Sequence, residues 1–299
     1  MNKMTVAQYH ARHEQKLKGF IDALTIPAPK IKDAIHYSLF PGGKRLRPML
    51  VYLCGALVHV DINTLDAIAA AIELTHCYSL IHDDLPAMDD DNYRRNKPSL
   101  HRAFDEATAI LVGDGLQALA IELLTNQLPL TLPATRIIPI IQHLTNAAGI
   151  HGMVSGQSLD LSELSTGHIT EATLREIHAL KTGALFSACI NMVLAASEAP
   201  QKTRQTLENV AKHLGLVFQM QDDYLDAHGD ANTLGKQRAS DAANNKTTFA
   251  TLYNHDALLK QIEKQYQIME HLLEDNIQSH PELNLLINTL KQRTPPINK

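Results

Sequence analysis

The chain has 299 residues, 44% of them hydrophobic and 20% charged, and its formal net charge is −5 at pH 7. This length allows one large domain or two ordinary ones with a substantial core. The small negative net charge argues against a nucleic-acid-binding surface. No apolar run approaches the roughly 18 residues of a membrane span. The three cysteines match neither a disulfide framework nor a metal-ligand spacing, and the first residues lack the apolar segment of a signal peptide. We therefore expect a soluble, cytoplasmic protein without nucleic-acid partners.

Helical patterns run along most of the chain, whereas alternating β-branched runs are hard to find. The stretch 65–84 has apolar residues at helical spacing, and a second helical stretch follows a capping box formed by Thr173 and Glu176. A third helix runs from Thr206 to a stop near Gly229. Prolines separate the helices, and no Gly/Ser-rich linker marks a domain boundary. These patterns predict one all-α domain over residues 1–299, with a frayed tail at residues 292–299.

A basic segment, FPGGKRLRPML, places Lys44, Arg45 and Arg47 directly after a Gly-Gly turn. Glycines permit a close approach to the backbone, and clustered lysine and arginine side chains suit a phosphate group. The segment does not have the spacing of a Walker A loop. Taken alone, it reads more simply as a solvated basic turn.

The segment LIHDDLPAMDDDNYRR holds a first acidic cluster of Asp83, Asp84 and Asp89. In an unbroken helix, positions i and i+6 point about 120° apart. Pro86 must distort the helix, and this distortion could bring Asp83 and Asp89 together. His76 lies on the face of Asp83, two turns earlier, so this face is not ordinary core.

A second acidic cluster, D-D-x-x-D, lies in FQMQDDYLDA. Asp222 and Asp226 share one helix face with Gln219, although an exposed polar stripe would look the same. Before it, the stretch HALKTGALFSA sets Lys181 among apolar residues, where burial is costly unless an anion lies near.

Together the two clusters indicate a magnesium site for a diphosphate substrate. Carboxylate oxygens suit Mg²⁺, which takes few protein ligands in addition to substrate phosphates. Zinc-ligand spacing and an EF-hand loop are both missing. Arg94 and Arg95 directly follow the first cluster, and Lys236 and Lys246 follow the second. Each cation alone could be a surface residue, but the set is coherent for a diphosphate.

The motifs GGKRLRP, LIHDDLPAMDDDNYRR, GMVSGQSLDL, LKTGALF, FQMQDDYLD and LGK, with the later Lys246, resemble those of the trans-isoprenyl diphosphate synthases. The resemblance covers roughly residues 30–250 and is closest to the bacterial farnesyl diphosphate synthases, or geranyltransferases. It implies an all-α helical bundle around a deep central cavity, usually as a homodimer. It also implies head-to-tail condensation of isopentenyl diphosphate with dimethylallyl or geranyl diphosphate through an allylic carbocation.

The resemblance also implies roles for individual residues. Mg²⁺, expected as three ions with substrate bound and replaceable by Mn²⁺, would be held by Asp83, Asp84, Asp89, Asp222 and Asp226. Asp223 and Lys181 would join these aspartates as catalytic residues. The allylic diphosphate would be bound by Arg94, Lys181, Thr182, Gln219, Lys236 and Lys246. Isopentenyl diphosphate would be bound by Lys44, Arg47, His76 and Arg95.

Product length is expected to depend on Tyr78 and Ser79, which lie about 6 to 7.5 Å along the helix axis before Asp83. They could form the floor under a C15 chain, although Tyr78 lies about 140° around the helix from Asp83 and could be ordinary packing. Farnesyl diphosphate is the favoured product, with geranyl or geranylgeranyl diphosphate as the alternatives. A class I terpene cyclase and a non-catalytic helical partner are rival functions. The cyclase has no use for a second diphosphate site, and the partner would be expected to have lost an acidic cluster.

Overall fold

The computed structural model describes residues 4–163, 169–228, 247–277 and 281–295. Helices account for nearly all of the regular structure in these ranges, which confirms the predicted all-α class. Lys236, Lys246 and residues 296–299 lie outside the described residues. The chain divides into two compact units, Met1–Gln142 with Ala195–Ser197 (unit 1) and His143–Leu194 with Glu198–Lys299 (unit 2). The single domain expected from the sequence stays a prediction.

Unit 1 is built around one long buried helix, α4, which packs against α3 and α6. All residues from Thr64 to Thr75 are buried, and alanines at 67 and 69–71 allow the neighbouring helices to come close on every side. The elements of unit 1 are α1 (Val6–Asp22), α2 (Pro29–Leu39), α3 (Leu46–Leu57), α4 (Ile62–Asp83), β1 (Tyr93–Arg94), β2 (Lys97–Pro98), α5 (Leu100–Ala103), α6 (Glu106–Gln127), a 3₁₀ turn (Leu128–Leu130) and most of α7 (Ala134–Ala148).

Strands β1 and β2 form a minimal antiparallel hairpin that the sequence reading missed. Arg94 pairs with Lys97, and Arg95 and Asn96 between them have positive φ angles of 54° and 61°. Two central residues with positive φ are the mark of a type I′ turn. Strands of two residues are too short to show an alternating pattern, so the signal was absent from the sequence.

Unit 2 contains a π-helical turn, Ala179–Gly183, between two α-helices. Its other elements are α8 (Met153–Glu163), α9 (Glu171–His178), most of α10 (Ala184–Ala196), α11 (Gln201–His228), α12 (Phe249–Leu252), α13 (His255–Ile277) and α14 (Pro281–Lys291). The helix that was predicted to stop near Gly229 is described as far as His228, and Gly229 lies outside the described residues. The predicted capping box is wrong, because Thr170 caps α9 by accepting the backbone N–H of Thr173.

Among the described residues, two helical stretches, Glu106–Leu130 and Glu171–Ala196, are long and apolar enough to span a membrane by length and composition alone. Buried core helices of soluble proteins meet the same criteria, and both stretches are partly buried. The expected absence of a membrane span therefore stays a prediction.

Candidate active site

The first acidic cluster lies where α4 ends and the chain folds back on itself. The helix ends at Asp83, three residues before Pro86, as expected from the missing N–H of proline. The backbone N–H of Asp89 then donates to the carbonyl oxygen of Asp83 at 2.9 Å. The predicted distortion is thus confirmed, and it brings the backbones of Asp83 and Asp89 into direct contact.

Arg94 bonds directly to this cluster. Its Nε donates to Oδ1 of Asp84 at 3.0 Å, its Nη2 donates to the same carboxylate, and Nη2 also lies 3.1 Å from Oδ2 of Asp91. Burial lowers the pKa of Arg94, but the hydrogen bond and charge of the buried Asp84 outweigh burial and raise it overall. A metal ion that takes an oxygen of Asp84 must therefore share or displace a charged guanidinium.

The predicted isopentenyl diphosphate residues of unit 1 cluster around α3 and α4. Nη1 of Arg47 lies 3.5 Å from Nε2 of His76, and Lys44 is exposed in the loop that precedes α3. Burial, followed by the charges of Arg47 and Arg95, lowers the pKa of His76 well below 6.5. His76 is therefore a neutral hydrogen-bonding group among cations. The N-terminus of α3, which begins at Leu46, adds partial positive charge next to Lys44.

Lys181 lies next to an anionic side chain, as its apolar sequence context predicted. Its Nζ lies 2.8 Å from Oδ2 of Asp160, a buried residue of α8. Helix α8 approaches so closely here that a Cβ on Gly156 would lie 2.2 Å from the backbone nitrogen of Lys181. Asp160 follows Gly156 by one helical turn, so this close approach places its carboxylate at Lys181. The sequence reading did not select Asp160, although it is the acidic residue within GMVSGQSLDL.

The second acidic cluster has carboxylates in different environments. Oδ1 of the buried Asp223 accepts from Gln219 at 2.8 Å, and Oδ2 accepts the backbone N–H of Phe249 at 2.8 Å. Gln219 also accepts a hydrogen bond from Thr182 Oγ1 at 3.0 Å. Asp226 is exposed, and Asp222 is partly exposed. Asp223 therefore connects α11 to α12 within unit 2, and the catalytic role predicted for it stays a prediction.

The segment after α14 reaches the second cluster. Arg293 forms an ion pair with Asp222, and its guanidinium carbon lies 4.4 Å from the ring centre of Phe218, one turn earlier on α11. The buried amide of Gln221 donates to the carbonyl oxygen of Leu290 at 2.9 Å and to Thr294 Oγ1 at 3.3 Å. Arg293 and Thr294, which belong to the segment predicted to fray, thus make defined contacts with α11. The sequence analysis selected Asp222 but did not anticipate its pairing with Arg293.

The two residues of the predicted chain-length floor lie on α4, one turn before its end. Tyr78 is buried, its ring lies edge-on to that of His82 at 5.9 Å, and burial raises its pKa. Ser79 is partly buried and its hydroxyl donates to the carbonyl oxygen of His76 at 3.0 Å. These contacts are compatible with a floor and with ordinary packing alike.

The acidic clusters fit a metal that needs additional ligands from its substrate. Across the described ranges, no three His, Cys, Asp or Glu side chains lie close enough together to hold an ion by themselves. Their donor set is nevertheless carboxylate oxygen, which suits Mg²⁺, and Mg²⁺ takes one or two carboxylates plus waters and phosphate oxygens. The residues present therefore fit an ion that binds together with a diphosphate.

Comparisons with known proteins agree with this chemistry. The sequence model of the family described as "Polyprenyl synthetase" matches residues 28–290. The crystal structure of a geranyltransferase from Legionella pneumophila has 54% identity and a TM-score of 0.89, covering 97% of this chain and 96% of that one. Farnesyl diphosphate synthase of Escherichia coli (strain K12) is 45% identical over 240 residues, or 80% of either chain. A geranyltransferase from Helicobacter pylori, described as complexed with magnesium and isoprenyl diphosphate, has 30% identity and a TM-score of 0.83 over 98% of this chain and 99% of that one.

Proposed function

The chain belongs to the polyprenyl synthetase family, and we propose that it condenses isopentenyl diphosphate with dimethylallyl and then geranyl diphosphate to give farnesyl diphosphate. The observation that carries this proposal is the turn that joins Asp83 to Asp89, beside an arginine-bonded Asp84. Carboxylates for a metal and guanidinium groups for phosphate oxygens are thereby brought into one segment. Relatives with farnesyl diphosphate synthase and geranyltransferase activity support the same substrate class.

The basic residues of unit 1 bind isopentenyl diphosphate in this proposal. Lys44, Arg47 and Arg95 supply charge, and the neutral ring of His76 supplies a hydrogen bond without a further positive charge. A class I terpene cyclase uses a single prenyl diphosphate and would have no use for this set. The cluster around α3 and α4 therefore favours a two-substrate prenyltransferase.

In this proposal the allylic diphosphate is assigned to Arg94, Lys181, Thr182 and Gln219, residue by residue from the family motifs. Asp160 holds the ammonium group of Lys181 in place, and Thr182 orients the amide of Gln219. Mg²⁺ would be held by Asp83, Asp84, Asp89, Asp222 and Asp226, and it would supply Lewis-acid stabilisation of the charge on the departing diphosphate. Mn²⁺ is a chemically reasonable substitute.

The reaction needs little further chemistry from the protein. The allylic C–O bond breaks, the lysine and arginine side chains stabilise the diphosphate that leaves, and the double bond of isopentenyl diphosphate attacks the allylic cation. A proton then leaves to the released diphosphate, so no protein base is required. Water must be excluded until the new C–C bond has formed.

The C15 product length is supported by the position of Tyr78 and Ser79 near the end of α4. The buried phenol ring of Tyr78 is the bulkier of the two and would stop a growing chain. Geranylgeranyl diphosphate is the weaker alternative.

Assembly and location form part of the same proposal. Ile110, Leu111 and Ile138 expose 45%, 59% and 60% of their surface, and exposed apolar side chains of this kind are ones that a second copy would cover in a homodimer. All three cysteines are buried free thiols, which suits a reducing compartment such as the cytoplasm.

The test is a turnover assay with Mg²⁺, isopentenyl diphosphate and either dimethylallyl or geranyl diphosphate, with products sized by mass spectrometry. We expect a C15 diphosphate that disappears with EDTA. Asp83→Ala should abolish turnover while the circular dichroism spectrum is kept, and Asp33→Ala, at an exposed aspartate of α2, is the control. Products of C10 or C20 would refute the chain-length proposal alone. No condensation with either allylic substrate would refute the function.

A further inference from the structure

Arg45, in the middle of the basic segment, is turned away from solvent. Its side chain is 0% exposed, Nε donates to Oε1 of Glu14 at 2.6 Å, and Nη2 donates to the carbonyl oxygen of Leu39 at 2.7 Å. Nη1 bonds to Glu73. Its backbone is left-handed, with a φ of 49°, directly before α3 begins. Arg45 therefore belongs to the interior, whereas Lys44 and Arg47 on either side of it belong to the substrate site.

Glu73 is shared between two segments that carry substrate-binding cations. The carboxylate is 2% exposed, and Nη2 of Arg95 lies 4.0 Å from the same Oε1 that Arg45 contacts. Arg45 comes from the loop before α3, Arg95 comes from the β1–β2 hairpin, and Glu73 precedes His76 by almost one turn of α4. One buried carboxylate thus joins three elements of the isopentenyl diphosphate site.

The two arginines depend on Glu73 to different degrees. Arg45 keeps Glu14 and Leu39 as partners when Glu73 is removed. Within the described part of the chain, Arg95 makes one ion pair, with Glu73. The Arg95 side chain is 25% exposed. The loop also folds over Arg45, since a Cβ on Gly42 would lie 1.9 Å from its Cζ. A shift of Arg45 would therefore shift the loop that carries Lys44.

We propose that Glu73 is a positioning residue of the isopentenyl diphosphate site: it fixes the loop of Lys44 through Arg45 and orients the guanidinium of Arg95 toward the diphosphate. This inference rests on the proposed function.

Two effects of removing Glu73 on the binding of isopentenyl diphosphate have opposite signs. A negative charge near an anion site weakens binding by simple repulsion, so its loss would tighten binding. If Glu73 acts through position, its loss weakens binding.

The experiment is the Glu73→Gln variant, which keeps the size of the side chain and removes its charge. We expect the KM for isopentenyl diphosphate to rise by ~10- to 100-fold, the range measured when outer-shell partners of metal ligands are lost. The KM for geranyl diphosphate and kcat should stay within about threefold, because Lys181 and Gln219 are untouched. Calorimetric titration with isopentenyl diphosphate alone should show the same loss of affinity.

Glu14→Gln is the matched control. It removes the other carboxylate of Arg45 but none of the contacts of Arg95, so its KM for isopentenyl diphosphate should stay near that of the wild type. If Glu73→Gln does not fold, the double variant Arg45→Met/Glu73→Gln removes both buried charges and restores a neutral core. The double variant should fold and still show the raised KM, because Arg95 remains unsupported.

The outcomes separate the inference from the proposed function. Tighter or unchanged binding of isopentenyl diphosphate by Glu73→Gln, or by the double variant, overturns the inference and leaves the function standing. An equal rise in both KM values also overturns it, because that would indicate a general structural role. A wild-type protein that neither binds nor consumes isopentenyl diphosphate overturns the proposed function, and the inference with it.

Discussion

The ion pair between Arg293 and Asp222 predicts that the segment after α14 weakens metal binding at the second acidic cluster. Any cation that binds the Asp222 carboxylate must compete with the guanidinium. The Arg293→Gln variant removes this competitor while it keeps a polar side chain beside Phe218. We expect Mn²⁺ to bind more tightly to the variant.

The structure sets the size of this effect. The side chains of Arg293 and Asp222 are 16% and 36% exposed, so water screens their attraction considerably. Partly exposed pairs of this kind contribute about 0.2–1 kcal/mol, and 1.4 kcal/mol corresponds to a factor of ten in affinity. Loss of the competitor should therefore tighten Mn²⁺ binding by roughly 1.5- to 5-fold. Loss of the stacking on Phe218 should lower the free energy of unfolding by about 0.5–1 kcal/mol.

The assay is a Mn²⁺ titration followed by electron paramagnetic resonance, without diphosphate and without prenyl substrates. Lys291→Gln is the control, because this neighbouring cation pairs with Glu263 and Glu270 at 2.9 and 3.1 Å and not with Asp222. Unchanged or weaker Mn²⁺ binding by Arg293→Gln would refute the reasoning. An equal gain in the Lys291 variant would also refute it, since that would reflect general charge.

Three further predictions concern other buried groups. Asp160→Asn removes the carboxylate at 2.8 Å from Lys181, so steady-state kinetics should show a KM for the allylic substrate raised by roughly tenfold, with the KM for isopentenyl diphosphate unchanged. Burial lowers the pKa of His13 from 6.5 to about 3, so the unfolded chain takes up this proton first as the pH falls below 6.5. At about pH 4.5 this should lower the free energy of unfolding by ~3 kcal/mol. The difference in unfolding free energy between wild type and His13→Leu, followed against pH by denaturation, should change by this amount. Profiles of the two proteins that stay parallel would contradict the prediction. Tyr78→Ala should shift products from C15 toward C20 in mass spectrometry, and an unchanged C15 product would assign Tyr78 to packing.

Those features that follow from local rules could be read from the sequence. The end of α4 and the turn to Asp89 follow from a proline at a fixed distance from two aspartates. The relation of Gln219 to Asp222 follows from helical spacing, which is the same in any α-helix. The prediction that an anion lies near Lys181 follows from the apolar residues around it, because burial of an unpaired charge is costly. In each case, the residues that decide the outcome lie within about two turns of one another.

The partners of these groups could not be read from the sequence. Lys181 and Asp160 are 21 positions apart, Arg45 and Glu73 are 28 apart, and Arg293 and Asp222 are 71 apart. Any of the chain's 32 acidic residues could have served as each partner on chemical grounds. The choice depends on how the helices pack, for example on the close approach of α8 at Gly156, and no local pattern encodes that approach.

The arginines at the two acidic clusters have the same electrostatic role. Adjacent carboxylates repel each other, and a guanidinium offsets this repulsion within unit 1 at Asp84 and within unit 2 at Asp222. A metal diphosphate bound here would take carboxylate oxygens, and the arginine would then lose part of its bond. A guanidinium can then donate to phosphate oxygens with the same planar geometry, so its hydrogen bonds are exchanged rather than lost. A metal ion without diphosphate offers no such exchange. The clusters should therefore favour the metal and the diphosphate together over the metal alone, which suits a reaction in which the diphosphate is the leaving group.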